Sequence, residues 1–139
     1  MAFAITPAAA EEIQARVNFL GVMDAVVTLN DSAPAPAALM DAISAAADNE
    51  ERLAIGQKEY ARLEEQLDFR IGVGIYSRDD CRPEDLVMLA GIRFALPREM
   101  LEFLSPCILD HENGNFLLLA GERSFASLRE FERSNRNAA

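Results

Sequence analysis

The chain has 139 residues, half of them apolar and about a quarter charged, which suits one globular domain with a hydrophobic core and argues against disorder. Thirteen basic and twenty-three acidic residues give a formal net charge of −10, which argues against binding to nucleic acid or to an anionic membrane surface. The segment "MAFAITPAAAEEI" lacks the basic region and the apolar run typical of a signal peptide, and no apolar run reaches about 18 residues. The two cysteines are too few for a disulfide framework, so we expect a cytoplasmic protein with reduced thiols.

The amino-terminal part predicts a helix followed by a strand. Thr6 can cap free backbone amides, and Pro7 suits the first helical position. The helix is predicted to run to about Phe19, with Ile13 and Val17 on its inner face. The β-branched run in "MDAVVTLND" then predicts a buried or half-buried strand.

A helical hairpin is predicted as an insertion over about residues 32–66. It begins with the connector "SAPAPAA", whose prolines cannot continue a strand ladder. Apolar residues then repeat at helical spacing, and Asp48 with Glu51 has the spacing of a capping box. Between Asp31 and Gln66 there are eight acids and three bases, half of the net charge, which predicts a solvated face or a docking surface for a basic partner.

The clearest strand is predicted for "LDFRIGVGIY", residues 67–76, because apolar side chains occupy every second position. Its two glycines, Gly72 and Gly74, do not form a dinucleotide-binding fingerprint, since a third glycine is missing and no helix follows. We interpret them as a place where another backbone or a bulky side chain approaches closely.

Two hairpins are predicted after the polar loop "SRDDCRPED". The first, "LVMLAGIRFAL", turns at residues 90–91 and should direct Ile92, Phe94 and Leu96 inward. The second, "CILDHENGNFLLLA", turns at residues 113–114, an Asn-Gly pair that suits the positive φ angles of a type I′ turn. The short helix "PREMLEFL" separates the two hairpins.

A C-terminal helix is predicted over about residues 124–134. It is indicated by Phe125, Leu128 and Phe131, which would form one apolar stripe. The helix is predicted to begin at Ser124.

The stretch "LSPCILDHENG" brings one cysteine, the only histidine and two carboxylates together in the sequence. On a strand, Cys107 and His111 would share a face but lie roughly 13 Å apart, which is too far for one metal ion to bridge. On a helix the spacing would suit a metal, but the Asn-Gly turn favours strands. We therefore interpret Cys107 as a core residue and His111 as a polar residue at the end of the hairpin.

No catalytic constellation is identified. A Ser/His/acid triad would need His111 with a serine such as Ser105 or Ser124, and no G-x-S-x-G turn is present. Cysteine catalysis would pair Cys81 or Cys107 with the same His111. Neighbouring carboxylates are a further candidate, but nothing in the sequence shows burial that would raise their pKa. They are Asp79 and Asp80, Glu84 and Asp85, and Asp110 and Glu112.

The order of these segments resembles the HesB/IscA-type proteins of iron–sulfur cluster assembly. The similar segments are "ITPAAAEEI", "LDFRIGVGIY", "DLVMLAGIRFALP", "REMLEFL" and "CILDHENGNFLLL". The resemblance implies a β-rich core with a final hairpin, but the cysteines that bind a cluster in that family have no counterpart here. Cys81 and Cys107 match no ligand position, and two cysteines cannot supply four ligands to a cluster.

We therefore predict a single α+β domain spanning residues 1–139, with a mixed or antiparallel sheet of about five to seven strands. Its predicted role is that of a non-catalytic accessory or protein-interaction module, without a cofactor, with the insertion and the last helix as candidate partner surfaces. Two alternatives stay open. One is a metal or iron–sulfur site shared across a homo-oligomer through Cys81, Cys107 or His111, and the other is a small enzyme that uses the loop carboxylates.

Overall fold

The computed structural model describes residues 2–33, 37–63 and 68–138. The described helices are α1 (Pro7–Leu20), α2 (Ala37–Ala45), α3 (Asn49–Leu63), α4 (Arg98–Leu104) and α5 (Leu128–Ala138). The described strands are β1 (Ala4–Ile5), β2 (Ala25–Ser32), β3 (Arg70–Ser77), β4 (Leu86–Leu89), β5 (Ile92–Ala95), β6 (Ile108–Glu112), β7 (Asn115–Ala120) and β8 (Arg123–Phe125). The predicted α+β class with a mixed sheet is confirmed, and the described residues form eight strands where five to seven were expected.

The chain divides into two compact units. The main unit comprises Met1–Ser32 and Arg70–Ala139, and the helical unit comprises Ala33–Phe69. Helices α2 and α3 lie within the insertion predicted for residues 32–66, of which residues 34–36 and 64–66 lie outside the described part of the chain. Asp48 caps α3 at the predicted spacing, because the Glu51 amide donates to Asp48 Oδ1 at 2.8 Å. The Glu51 side chain reaches one residue further back than in a capping box, since Oε2 accepts from the Ala47 amide at 2.9 Å.

The sheet of the main unit has the strand order β1-β6-β7-β3-β2-β5-β4, and β8 pairs with β7. Strand β1 is parallel to β6 and β2 is parallel to β5, while the other pairs are antiparallel. One face of the sheet packs against α1, α4 and α5 to form the core, because apolar residues alternate along the strands. Fully buried members of this core are Ile13, Val27, Phe94, Leu96, Leu104, Leu109 and Leu118.

Both predicted hairpins form, and each turns through two residues with positive φ. Asn113 and Gly114 have φ of 52° and 81°, and Ala90 and Gly91 have φ of 51° and 78°. These are the signs that a type I′ turn requires at both central positions. Positive φ is less favourable for Ala90 than for Asn113, because asparagine tolerates the left-handed conformation better than alanine. The β4–β5 turn therefore depends more than the β6–β7 turn on the pairing of its flanking strands.

The start of the last helix was predicted wrongly. Ser124 and Phe125, placed at the first turn of a helix over residues 124–134, belong to strand β8, and α5 begins at Leu128. The apolar spacing of Phe125, Leu128 and Phe131 is real, but Gly121 at φ 62° turns the chain so that the segment after it pairs with β7 first.

The amino terminus of α5 is held by a carboxylate from the middle of the sheet. Asp31 on β2 accepts hydrogen bonds from the Leu128 amide at 2.7 Å and from the Arg129 amide at 3.0 Å. Ser127 accepts from the Glu130 amide, and the Glu130 side chain accepts from the amide of Ala126, the residue before Ser127. The negative charge of Asp31 also interacts favourably with the partial positive charge at the amino terminus of the helix.

We predict that Asp31→Ala lowers the free energy of unfolding by about 2 kcal/mol, because two backbone amides lose a charged acceptor. Asp31→Asn should lower it by about half as much, since one acceptor oxygen remains. Urea unfolding followed by circular dichroism measures both. Asp79→Ala, which removes an exposed aspartate from a turn, is the control, and equal losses for Asp31→Ala and Asp79→Ala would contradict the capping role.

Candidate functional site

Cys107 lies in the core of the main unit, just before β6. Its side chain is 1% exposed, and burial raises the pKa of its thiol to about 11. A thiol with this pKa is protonated near neutral pH and is a poor nucleophile and a poor metal ligand. The structure therefore agrees with the interpretation of Cys107 as a small core residue.

His111 lies on β6, on the inward face and opposite Phe116 of β7. The imidazole and the phenyl ring meet edge to face, with 4.8 Å between their centroids, and Nε2 of His111 is buried without a hydrogen-bond partner. The Arg16 guanidinium lies 4.9 Å from the centroid of the same phenyl ring. His111 is thus part of an aromatic and cationic stack between α1 and the sheet, further inside than the hairpin-end position we predicted.

Asp110 links the first helix to the sheet. Thr6 Oγ1 donates to Asp110 Oδ1 at 2.7 Å and accepts from the Ala9 amide at 3.2 Å, so one hydroxyl caps α1 and holds β6. The Thr6 amide also donates to the Leu109 carbonyl oxygen at 2.9 Å. These contacts give Asp110 a structural role that accounts for its place beside His111 without invoking catalysis.

The polar loop "SRDDCRPED" folds as two short 3₁₀ turns, Arg78–Asp80 and Pro83–Asp85. Cys81 lies between them, half-buried, and its thiol donates to the Ser77 carbonyl oxygen at 3.6 Å. Arg82 donates to Glu84 Oε1 from Nε at 2.8 Å. Hydrogen bonds from its own backbone amide and from Arg82 lower the pKa of Glu84, which is the wrong direction for a general acid.

The three candidate metal ligands are not brought together by the described structure. Cys107 is inside the core, His111 is in the stack on Phe116, and Cys81 is in the 3₁₀ loop. Across residues 2–33, 37–63 and 68–138 there is no group of three His, Cys, Asp or Glu side chains placed to hold a metal ion. A site shared between two copies would need exposed ligands, and Cys107 does not meet that requirement.

An open cavity of about 400 Å³ lies beside Cys81, between the β2–β3 ladder, the 3₁₀ turns and α4. This volume is in the range typical of small-molecule sites. Its polar lining residues are Thr28, Tyr76, Asp80, Cys81, Arg82 and Asp85. Sequence reasoning identified the carboxylates of the loop as candidates but not the strand residues opposite them, because register alone decides which strand positions face the loop.

A second feature is an exposed apolar surface at the carboxyl end of α1, which sequence reasoning missed. We call Phe19, Leu20 and Met23 the α1 apolar end, and their exposed fractions are 88%, 57% and 85%. A signal was present in the sequence, since Phe19 lies outside the stripe formed by Ile13 and Val17 and so could not reach the core with them.

The α1 apolar end borders one of two depressions in this part of the surface, and its three residues do not line the other. Phe19 and Leu20 line one of about 360 Å³, whose wall includes Val73 and Ile75 of β3. The other, of about 250 Å³, lies under the turn after α1 and reaches Met88 on β4, which is also exposed. Exposed apolar patches of this kind often mark interaction sites.

None of the helices described by the structure is long and apolar enough to span a membrane. Comparison with protein-family profiles and with curated protein sequences gives no match for this chain.

The two thiols should differ sharply in reactivity. We predict that a thiol reagent at pH 8 modifies Cys81 and leaves Cys107 unmodified until the chain is unfolded, because only Cys81 is partly exposed. In a Cys81→Ser variant, we therefore expect no alkylation of Cys107 at pH 8 until denaturant unfolds the chain.

The raised pKa of Cys107 should also make the stability of the protein depend on pH. An unfolded thiol ionises near pH 8.5, while the pKa of Cys107 in the folded protein is raised to about 11. The unfolded state therefore loses its proton first, and the stability that depends on this thiol falls as pH rises between these two values. Rapid modification of Cys107 in the folded protein at pH 8 would contradict its placement in the core.

Proposed function

We propose that this chain is a non-catalytic protein-interaction module whose docking surface is the α1 apolar end. The observation that carries the proposal is the exposure of Phe19 and Met23, two large apolar side chains four residues apart. Each such side chain contributes about 1.5–3 kcal/mol when it is fully buried. A partner that covers both therefore gains a substantial part of its affinity from this one helix end.

The chemistry of the surface suits an apolar partner segment. Phenylalanine anchors interfaces well, and methionine adapts its shape to irregular partners. The depression beside Phe19 is walled by Val73 and Ile75, so an inserted side chain would meet apolar atoms on two sides. The net charge of −10 keeps the uncomplexed chain soluble in spite of this surface.

The two surfaces favoured by the sequence are weaker candidates. On α5, Leu128 and Phe131 pack into the core, so the apolar stripe of the last helix is already used. On the helical unit, Met40 and Leu53 are exposed, one on α2 and the other on α3. They provide a second apolar surface, which a matched variant can test separately.

A HesB/IscA-type origin of the scaffold is part of this proposal. It is supported by the sequence of a hairpin (β4–β5), a short helix (α4) and a second hairpin (β6–β7), which is the order of elements that the resemblance implies. With its two cysteines at Cys81 and Cys107, such a scaffold would act by binding another protein and not by carrying a cluster.

The enzyme alternative has less support. Glu84 is bound to Arg82, and its pKa is lowered. Asp110 is bound to Thr6 in a structural link. A dimeric metal site is disfavoured by the burial of Cys107.

We predict that a photoreactive side chain at position 19 traps a partner in cells. Phe19→p-benzoylphenylalanine keeps an aromatic group at the exposed site, so a docked protein should be cross-linked as one discrete product. The same amino acid at Glu11, exposed on the same helix, is the control and should give no product. Cross-linking of a second copy of this chain would identify the partner as a homo-oligomer.

Paired variants locate the surface. Phe19→Ser with Met23→Ser should abolish the trapped complex in a co-purification assay with little effect on unfolding, because both side chains are mostly exposed. Met40→Ser with Leu53→Ser removes similar apolar area from the helical unit and should leave the complex intact. Loss of the complex only in the second pair would overturn the proposal.

A further inference from the structure

The cavity beside Cys81 is independent of the α1 apolar end and is built differently. One side is formed by β2 and β3, through Thr28 and Tyr76, and the opposite side by the two 3₁₀ turns. Apolar atoms complete the lining, from Leu29, Ala95, Pro97 and Met100. The cavity therefore combines an aromatic ring, hydroxyl and carboxylate oxygens, and an apolar surface, as small-molecule sites do.

The position of the Tyr76 ring follows from a glycine. Thr28 pairs with Gly74 in the β2–β3 register, and Tyr76 is two residues further along the same face of β3. A Cβ atom at Gly74 would lie 2.7 Å from Cε2 of Tyr76 and 2.8 Å from Oγ1 of Thr28. The Tyr76 ring therefore packs over the backbone of Gly74, while 47% of Tyr76 stays exposed. This explains a glycine in the middle of the clearest strand.

The charge of the lining is negative. Asp80 and Asp85 line the cavity together with Arg82. The hydrogen bond from Arg82 to Glu84, followed by the attraction of Glu84 and then of Asp85, raises the pKa of Arg82. The hydrogen-bonded partner of Arg82 is thus Glu84, which lies outside the lining, while Asp85 attracts Arg82 more weakly. The lining itself carries two carboxylates and one guanidinium and is therefore net negative.

We propose that this cavity binds a cationic group, an alkylammonium or alkylguanidinium, on a short apolar stem. The carboxylates of Asp80 and Asp85 would accept charge-assisted hydrogen bonds from its N–H groups. The face of Tyr76 attracts a cation through its quadrupole, and Met100 and Pro97 contact the stem. Binding needs no metal, redox step or covalent bond. The cation is supplied by a free amine or by an arginine or lysine side chain of a peptide.

The test is a titration of the full-length ¹⁵N-labelled chain, followed by two-dimensional amide NMR, with n-butylguanidinium as the probe. We expect saturable shifts at amides of the 3₁₀ turns and of α4. The neutral isostere n-butylurea should bind about tenfold more weakly or not at all, because it lacks the charge that the carboxylates and the ring recognise. Equal binding of the two probes, or saturation by inorganic phosphate at the same amides, would overturn the proposal.

Neighbouring aspartates provide the matched control. Asp80 lines the cavity and Asp79 does not, yet both are exposed residues of the same 3₁₀ turn. Asp80→Asn should weaken binding of n-butylguanidinium about tenfold, while Asp79→Asn, with the same change in net charge, should leave it within twofold. Equal effects of the two variants would show only a general attraction to an acidic protein and would also overturn the proposal.

The source of the cation is settled by a second pair of probes. Acetyl-arginine methylamide presents the guanidinium as a peptide side chain does, and n-butylguanidinium presents it alone. Tighter binding of the arginine derivative assigns the site to a peptide, and tighter binding of the free cation assigns it to a small amine. Either result supports the cation site, and failure of both probes to bind refutes it without affecting the docking surface on α1.

Discussion

The ladder between β2 and β3 is the constraint on which most of the structure depends. Eight consecutive residue pairs join the two strands, more than any other pair of strands in the described sheet. Its inner face gives Val27, Leu29 and Ile71 to the core. Because side chains alternate, the same register places Thr28 and Tyr76 together on the outer face. A slip of one residue would exchange the two faces and remove both the core and the cavity.

Helix α1 is fixed at one end and exposed at the other. At its start, Thr6 caps the helix and binds Asp110, while Ile13 in its middle is fully buried. The helix then ends at Leu20 and is capped by Gly21, and Phe19 and Leu20 in its last turn are exposed. Phe19 and Leu20 are therefore presented on a helix that is anchored at its start, and Met23 follows in the turn after Gly21. A rigid apolar surface loses less entropy on binding than a mobile loop would.

Sequence reasoning succeeded where local chemistry decides the structure. The cap at Thr6 and the turns at residues 90–91 and 113–114 follow from side-chain type and from backbone preference, which act over a few residues. It failed at Ser124, where pairing with β7 outweighed a helical apolar pattern. Sites made by distant segments could not be predicted, because the strand register, and not the neighbours in sequence, places Thr28 and the 3₁₀ loop around one cavity.

The position of the helical unit in the chain has a further consequence. Ser32 and Arg70, the residues that flank it, are paired with each other in the β2–β3 ladder. In topological terms, the unit occupies the loop of a hairpin whose strands already meet at its base. Lengthening such a loop costs only about 0.6 kcal/mol for each doubling of its length. This junction is therefore a place where evolution can enlarge, shorten or exchange a segment while the sheet keeps its register.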